Sequence, residues 1–425
     1  MVRLDAHSAD FPSAFAAFVS ARREADEDVS RDVTAILARV KAEGDPAVAA
    51  LTEKFDGHML DWRVSLETAK EAYETLDPTL RDALEYAAQR ILQYHGKQVP
   101  EDRDEIDDTG VRIGARWNAV EAAGVYVPGG RAAYPSSVLM NIIPAKVAGV
   151  DRIVMVTPAP GGIVNPVVLA AAHIAGVDEI WRIGGAQAVA ALAYGTKTIA
   201  PVDVITGPGN AWVAEAKRQL YGVVGIDMVA GPSEILVVAD GDNDPRWIAA
   251  DLLSQAEHDP TSQSILMTDD ASFADAVAAA VETQLQSLTT QATARASWEA
   301  NGAIIVVQDL SQTPALIDRL APEHLELAVA DPEPLFAQVR HAGSIFLGRH
   351  TPEAVGDYVG GPNHVLPTGR RARFSSGLSV LDFMKRTSFL ACDEASIRVI
   401  GPAAVTLAEA EGLPAHAASV RERLL

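Results

Sequence analysis

The sequence predicts an α/β protein made of two successive α/β/α units, because short apolar runs alternate with Ala-rich helical stretches from about residue 120 onward. The first series of runs reads AGVYV, RIVMV, EIWRI and DVIT, and the second reads EILVVA, SILMT, AIIVV and SIFLG. Each run is apolar throughout, which is typical of strands covered on both faces in a parallel sheet. Two such series predict two units of similar build, joined near residues 230–235.

Helical patterns flank these two units. Between residues 27 and 98, apolar residues recur at spacings of three and four, with Asp77 and Pro78 suited to the start of one helix. The chain is expected to turn helical again after residue 385. We therefore predict an N-terminal helical segment over 1–25, a helical region over 26–125 that packs against the second α/β unit, and a helical C-terminal tail over 381–425.

Length, charge and cysteine content exclude several classes of function. At 425 residues the chain exceeds the size at which a single core keeps growing. A net charge of −22 repels polyanions, so we expect no nucleic-acid partner and no anionic membrane surface. The single cysteine, Cys392, excludes an internal disulfide and a cysteine-based zinc cage. With no secretory h-region and no apolar run long enough to span a bilayer, the sequence predicts a cytoplasmic protein.

Three Gly-rich loops follow predicted strands of the first unit, at residues 126–137, 182–195 and 206–219. Ligands bind at the carboxyl ends of parallel strands, and a helix N-terminus favours a pyrophosphate. The dinucleotide fingerprint GxGxxG is absent, however, and small residues also serve tight strand-to-helix turns. At this point a nucleotide site and a purely structural role both remain open.

Four short segments bring together side chains that bind metals or transfer protons. LLSQAEHDP spaces Gln255 and His258 to share one helix face, although an exposed helix end is the simpler interpretation. The Gly- and Pro-rich loop EAVGDYVGGPNHVLPTG holds Asp357 and His364, which serve a turn equally well. The other two segments are EGLPAHAAS, with Glu411 and His416, and APEHLEL, with Glu323 and His324.

One site would account for all four segments. If APEHLEL forms the first turn of a helix, its acid and imidazole point about 100° apart and do not face each other. Glu323 and His324 would then be free for proton transfer beside a metal. The metal ligands predicted for that site are Gln255, His258, Asp357 and His416.

The motifs resemble those of histidinol dehydrogenases over essentially the whole chain, in the same order. The strings that carry the resemblance are GVYVPGG, AYPSSVLMN, PAKVAGV, GGAQAVAALAYGT, GPGN, IDMVAGPSEI, LLSQAEHDP, APEHLEL, GDYVGGPNHVLPT and EAEGLPAHAASV. The resemblance implies a zinc- and NAD-dependent oxidation of L-histidinol to L-histidine through L-histidinaldehyde, in the last steps of histidine biosynthesis. Departures at Arg131, Thr206 and Trp212 leave the affinity for NAD open, not the activity.

The resemblance also assigns roles to individual residues. Glu323 and His324 would be the catalytic proton acceptors. Zinc would bind Gln255, His258, Asp357 and His416. These four zinc ligands and His324 would also bind the substrate. The further substrate contacts implied are Ser233, His364 and Glu411. The NAD contacts implied are Tyr126, Gln187 and Asn210.

The fold that the resemblance implies is two Rossmann-like domains that lack GxGxxG. The NAD-binding domain would span 126–235, and the second, carrying the zinc and catalytic residues, 236–380. The tail over 381–425 would cross to the other subunit of a homodimer, so that Glu411 and His416 complete the neighbouring site.

Three other functions remain open from the sequence. A zinc- and NAD-dependent dehydrogenase of the same family acting on another small alcohol would keep the same metal ligands and bases. A zinc hydrolase would use Glu323 to activate a metal-bound water. A non-catalytic protein would use zinc only to hold a dimer together. The sequence also leaves manganese or cobalt open in place of zinc.

Overall fold

A computed structural model describes residues 1–21, 29–129, 133–229 and 231–425. Arg131, one of the family departures, lies outside these residues. The strands are β1 (Val2–Asp5), β2 (Arg63–Val64), β3 (Arg103–Ile106), β4 (Arg112–Ala119), β5 (Ala122–Tyr126), β6 (Arg152–Val156), β7 (Glu179–Trp181), β8 (Val204–Thr206), β9 (Gly225–Ile226), β10 (Glu234–Ala239), β11 (Gln263–Thr268), β12 (Ala303–Val306), β13 (His324–Ala328), β14 (Ser344–Leu347) and β15 (Met384–Ala391). The helices are α1 (Phe11–Ser20), α2 (Ser30–Glu43), α3 (Asp45–Asp56), α4 (Leu66–Glu74), α5 (Pro78–His95), α6 (Pro135–Ala148), α7 (Pro166–Ala175), α8 (Gly185–Tyr194), α9 (Ala211–Leu220), α10 (Pro245–Ala256), α11 (Ala271–Leu285), α12 (Gln291–Asn301), α13 (Thr313–Leu320), α14 (Glu333–Phe336), α15 (Glu353–Tyr358), α16 (Glu394–Ala410) and α17 (Pro414–Arg421).

The first sheet has the strand order β2-β7-β6-β5-β8-β9, and its strands run parallel except β2, which is antiparallel to β7. Its apolar strands are covered on both faces. Along β6, Ile153 and Met155 join one hydrophobic core, whereas Val154 and Val156 join the core on the other face. This alternation explains why the run RIVMV has almost no polar residue.

The second sheet has the order β1-β12-β11-β10-β13-β14, with every pair parallel. Counting from β5 in the first sheet and β10 in the second, both show the order 3-2-1-4-5. The predicted mixed α/β fold with parallel sheets is confirmed. In each sheet the strand order reverses beside the first strand, next to β8 and β13 respectively.

The N-terminal segment belongs to the second unit. We expected 1–25 to be helical, but residues 2–5 form β1, which pairs with β12 from Val2↔Ala303 to Asp5↔Val306. Only α1 then follows, and its Phe15 is fully buried in the core of the second unit. The sequence did not reveal β1 because a four-residue edge strand has too few apolar residues to form a pattern. Its pairing with β12, about 300 positions away, depends on backbone groups that every residue has.

Helices α2 to α5 lie on the first unit, contrary to the expectation that the 26–125 region packs against the second. Helices α2 and α3 contact α8, and α2 also contacts α9, whereas α4 and α5 contact α6 and α7. The region also contains β2, β3, β4 and most of β5, so it is not purely helical. An apolar helix face requires burial, but the hydrophobic effect is non-directional and does not specify which sheet provides the cover.

The chain returns to the first unit after α15. Val365, Leu378, Val380 and Phe383 all join the same core as β5 and β6. On α5, Arg90 donates hydrogen bonds to the carbonyls of residues 359 and 360, at 2.8 and 2.9 Å. The loop that carries His364 is therefore held between the two units.

The C-terminal tail begins as a strand and then becomes helical. Strand β15 pairs antiparallel with β4 over eight residues, and β3 completes this small sheet. The expected helical segment therefore starts only at α16. Helices α16 and α17 pack on each other and leave Val399, Leu407 and Leu413 between 41 and 64 % exposed. In the described ranges, no helix combines the length and hydropathy that crossing a membrane requires.

Candidate active site

Glu323 and His324 stand at the entry to β13, not on a helix. Helix α13 ends at Leu320, Ala321 adopts a left-handed backbone (φ 46°), and β13 begins at His324. Such a conformation at a non-Gly residue costs about 1–2 kcal/mol. The possible helical turn in APEHLEL is thus wrong, because strand pairing with β10 fixes the backbone here.

Both side chains bind the same residue of β10. The backbone N–H of Glu234 donates to Glu323 Oε2 at 2.9 Å, and His324 Nδ1 lies 3.0 Å from the Glu234 carbonyl oxygen. Since a carbonyl only accepts, His324 Nδ1 carries the proton and Nε2 keeps a lone pair. The acid and the imidazole are therefore held in fixed orientations by one stretch of backbone.

The free nitrogen of His324 faces two carboxylates of α15. Its Nε2 is 3.8 Å from Glu353 Oε1 and 3.9 Å from Asp357 Oδ1. One ligand atom from each of these three residues lies within 4.8 Å of the others, a spacing that suits a metal ion. Neither His324 Nε2 nor Glu353 Oε1 has a hydrogen-bond partner within the described part of the chain.

Helix α15 is anchored from behind by buried polar groups. The backbone N–H of Glu353 donates to Glu326 Oε1 at 2.5 Å, and Ser254 Oγ donates to Glu353 Oε2 at 3.0 Å. Glu326 in turn shares a hydrogen bond with Asp251. Because Ser254 and Asp251 belong to α10 and Glu326 to β13, these contacts join the three elements that carry the site.

The C-terminal end of α10 brings two further predicted ligands. Gln255 is fully buried, yet neither its amide oxygen nor its nitrogen has a hydrogen-bond partner among the described residues. His258, one turn later, is exposed and acts electrostatically on Asp357 and His364. A buried amide without a partner is unfavourable unless something binds it, so Gln255 fits a metal ligand.

His364 and Ser233 border the same cleft. His364 Nδ1 donates to the carbonyl of Asp357 at 3.0 Å, and its Nε2 lies 3.5 Å from Ser137 Oγ of the first unit. Ser233 directly precedes Glu234 at the start of β10. The cleft therefore opens between α6 of the first unit and the amino ends of β10 and β13.

Burial favours the neutral forms of the groups in this cleft. It raises the pKa of Glu323 well above its usual range, raises that of Glu353 to about 7, and raises that of Asp357. It lowers the pKa of His324, and that of His364 to about 4. The charged groups acting on Glu323 are other carboxyls, so a bound cation would relieve their repulsion and restore the ionised forms.

The site lies at the amino edge of the second sheet. The general rule places ligands at the carboxyl ends of parallel strands, but Glu323, His324 and Ser233 stand where strands begin. Helix α10 runs back from the carboxyl edge and ends at Ala256, so Gln255 in its last turn and His258 just after it reach the same amino edge. The first unit faces this cleft through the first turn of α6, where Ser137 Oγ lies 3.5 Å from His364 Nε2.

A second cluster of predicted residues lies at the carboxyl edge of the first sheet. The hydroxyl of Tyr126 accepts the Gly185 N–H at 3.0 Å, and burial raises its pKa to about 12. Gln187 is 1 % exposed and follows in the first turn of α8. Asn210 caps α9 by accepting the N–H groups of Trp212 and Val213. Tyr126 and Gln187 thus share a corner, with Asn210 on the loop of the adjacent strand.

Glu411 and His416 are exposed on the tail. The tail helices contact chiefly each other, and no described contact joins either residue to the cleft. The described chain therefore assembles the other cleft residues without these two.

Three residues of the cleft were missed by sequence reasoning. Glu353 stands four residues before Asp357, a spacing that would have placed both on one face of a short helix. Glu234 is an acid at the head of an otherwise apolar strand, which is also a usable signal. Ser137, in the first turn of α6, has no distinguishing pattern.

Comparisons with known proteins identify the family to which the chain belongs. The family model described as histidinol dehydrogenase matches residues 19–424. The histidinol dehydrogenase of Zymomonas mobilis subsp. mobilis is 66 % identical over 100 % of this chain and 99 % of its own length, and that of Rhodospirillum rubrum is 62 % identical over 100 % and 98 %. A crystal structure of histidinol dehydrogenase from Elizabethkingia anophelis superposes with a TM-score of 0.95 at 37 % identity, covering 100 % of this chain and 98 % of that one. The chain belongs to the histidinol dehydrogenase family and is an oxidoreductase.

Proposed function

We propose that the protein oxidises L-histidinol to L-histidine through L-histidinaldehyde, with zinc bound and two NAD⁺ reduced. Family membership supports the substrate. The observation that carries the mechanism is that Glu323 and His324 are held by the same residue of β10, with the His324 lone pair directed toward the cleft.

His324 acts first in this proposal. Its Nε2 accepts the proton of the substrate hydroxyl, while the Nδ1–H bond to the Glu234 carbonyl fixes the tautomer and stabilises the imidazolium that forms. NAD⁺, when bound, accepts the hydride that leaves the same carbon. The low pKa that burial imposes on His324 keeps the ring neutral and ready to accept a proton.

Glu323 acts on the aldehyde. Its carboxylate takes a proton from the water that adds to the carbonyl, and the carbonyl oxygen takes the proton that His324 received in the first step. The product is a gem-diol, and His324 is neutral again. His324 then deprotonates this diol for the second hydride departure. Two neighbouring bases therefore serve two successive proton transfers at one carbon, which is the chemical reason for placing a carboxylate beside an imidazole.

The proposed zinc ligands are Gln255, His258, Asp357 and His416. The unpaired buried amide of Gln255 and the electrostatic contact of His258 with Asp357 support this set. A metal-suited group identified by geometry alone is His324, Glu353 and Asp357, which shares only Asp357 with it. We favour the first set because it leaves His324 free as a base. Zinc would supply a Lewis acid that orients the imidazole and amino nitrogens of the substrate.

Substrate contacts are proposed for three residues around the metal. Ser233 and His364 border the cleft, and His364 is fixed by its bond to the Asp357 carbonyl. Glu411 carries a negative charge that suits the amino group of histidinol. These residues distinguish histidinol from other small alcohols that a same-family dehydrogenase would accept.

The proposed NAD site lies at the carboxyl edge of the first sheet, with contacts from Tyr126, Gln187 and Asn210. Helix α8 begins with Gly184 as N-cap, which has no side chain to accept the N–H groups of the first turn, and the Tyr126 hydroxyl accepts the first of them, that of Gly185. Uncapped N–H groups together with the positive end of the helix dipole favour a pyrophosphate. The first turn of α6, which contacts His364 in the cleft, lies at the same edge of the first sheet and supports this position.

A homodimer with exchanged tails is proposed to complete each site. Two observations support this proposal. Helix α16 exposes apolar residues, and among the described residues no contact joins Glu411 or His416 to the rest of the cleft. A tail that reaches a second copy would bury those apolar side chains and supply both residues in trans.

The deciding experiment measures absorbance at 340 nm with zinc-loaded protein, excess NAD⁺ and a limiting, known amount of L-histidinol. Two NADH formed per histidinol would establish the four-electron reaction. One NADH would mean that oxidation stops at the aldehyde. No NADH would refute the proposal and direct the search to other small alcohols and then to hydrolysis without NAD⁺.

A further inference from the structure

Lys217 and Asp227 form an ion pair inside the first unit, away from the metal cleft. Their side chains are 2 % and 1 % exposed, so both charges are almost completely removed from water. Lys217 belongs to α9, and Asp227 directly follows β9. Charged side chains are seldom buried this deeply without a specific partner, and here each charge neutralises the other.

Both members of the pair also bind the backbone of the same residue, Gly207. Lys217 Nζ donates to the carbonyl oxygen of Gly207 at 2.9 Å. The Gly207 N–H donates to Asp227 Oδ2 at 2.8 Å. The other carboxylate oxygen, Oδ1, accepts the N–H of Met228 at 2.6 Å, which fixes the orientation of the Asp227 side chain. The ion pair thus holds Gly207 by both of its backbone polar groups.

Gly207 is the first residue of the GPGN loop, defined here as residues 207–210, which connects β8 to α9. Its φ is +106°, and a Cβ at this position would lie 2.1 Å from the carbonyl oxygen of Tyr126. Gly207 therefore packs directly against the end of β5. The loop then leads to Asn210, the cap of α9. The position of Gly207 sets how this loop stands relative to Tyr126.

We propose that Lys217 and Asp227 are positioning residues for the dinucleotide: by holding Gly207 from both sides, they preset the GPGN loop against Tyr126 in the arrangement that the cofactor binds. The inference rests on the proposed use of NAD. Neither residue is expected to touch the cofactor, because both side chains are almost completely buried. A loop that is already ordered loses little conformational entropy when the cofactor binds. A variant in which the loop is not held in place should therefore bind the cofactor less tightly.

The test compares binding of NADH in two variants, measured by fluorescence titration without histidinol. Asp227→Asn keeps one oxygen, which can accept the Gly207 N–H, and leaves the Lys217 bond to the carbonyl in place. It also removes the counter-charge of the buried Lys217, so its cost is expected in stability rather than in affinity. Adding Lys217→Met to this background removes the bond to the Gly207 carbonyl without leaving an unpaired buried carboxylate. We expect the Kd for NADH to rise roughly tenfold or more in the double variant, since a hydrogen bond from a charged group contributes at least that factor. Asp227→Asn alone should stay within a few-fold of the wild type.

A matched control is Lys146→Met, which breaks the partly exposed pair with Asp178 at the opposite edge of the same sheet. It should leave the Kd for NADH unchanged. A melting curve of each variant verifies folding, and Lys217→Gln in the Asp227→Asn background replaces the Met variant if the latter does not fold. The KM for histidinol should remain within twofold, because its proposed contacts lie in the second unit and the tail.

The outcomes separate this inference from the proposed function. If the wild type binds NADH and the double variant binds it equally well, the pair is merely structural and the inference is overturned. If Asp227→Asn loses as much affinity for NADH as the double variant, the Asp227 charge is responsible rather than the hydrogen bond from Lys217 to the Gly207 carbonyl. The inference is then again wrong. If the wild type neither binds NADH nor reduces NAD⁺, the proposed cofactor fails and the inference fails with it.

Discussion

Replacing Glu323 by Gln is the sharpest test of the two-base arrangement. The amide keeps an oxygen that can accept the Glu234 N–H, the bond that Glu323 Oε2 makes at 2.9 Å. It is also nearly isosteric, so the packing around a side chain that is only 6 % exposed is preserved. The substitution therefore removes the ability to accept a proton and changes little else.

The expected loss falls on one half-reaction. A general base contributes about 10²–10⁴ in rate, which corresponds to about 3–5 kcal/mol of transition-state free energy. Oxidation of histidinol to the aldehyde uses His324, whose Nδ1–H bond to the Glu234 carbonyl is untouched. That step should remain near the wild-type rate. Conversion of supplied histidinaldehyde to histidine should fall by the full factor.

Both half-reactions are followed as NADH formation at 340 nm in single-turnover mixtures. The matched control is Glu326→Gln, the same substitution three residues further along the chain in β13, where the side chain faces Asp251 and the backbone of α15. Any effect of this control should reach both half-reactions alike. An equal loss in both half-reactions of the Glu323→Gln enzyme would refute the division of labour between the two bases.

Three further predictions concern the dimer, the carboxylates and the inter-unit loop. Mixing inactive His416→Asn and His324→Asn proteins under subunit exchange should restore activity, because hybrids of a tail-exchanged dimer contain one intact site; no recovery despite proven exchange would place each tail in its own subunit. In metal-free protein, burial raises the pKa of Glu353 to about 7, so its stabilising contribution is complete below about pH 4.5 and is lost as the pH rises through 7. The free energy of unfolding, measured by urea denaturation at pH 5 and 8, should therefore fall by about 3 kcal/mol less in Glu353→Gln than in the wild type. An equal fall in both proteins would contradict the assigned burial. Arg90→Met should raise the KM for histidinol more than it lowers kcat, since it releases the carbonyls of residues 359 and 360 beside His364, and an unchanged KM would show that the loop holds its position without Arg90.

Local features of the chain could be inferred from the sequence because their physical causes act over short distances. Asp77 caps α5 as predicted, since an N-cap bond joins a side chain to N–H groups two and three residues away. Runs that are apolar throughout indicated buried parallel strands, and β5, β6, β10 and β11 are such strands. The shared helix face predicted for Gln255 and His258 did not form, because α10 ends at Ala256 and His258 lies in the turn that follows.

Contacts between residues far apart in the sequence were revealed only by the folded structure. The sequence showed that Glu323 and His324 adjoin, but not that Glu234, about ninety positions earlier, holds both of them. It did not show that β1 joins the edge of the second sheet, that α2 to α5 cover the first, or that the cleft lies at the amino edge of the second sheet. Apolar faces attract any apolar partner, and backbone hydrogen bonds are the same for every residue. The sheet against which a helix or strand packs depends on how all elements of the chain pack together. No short segment of the sequence contains that information.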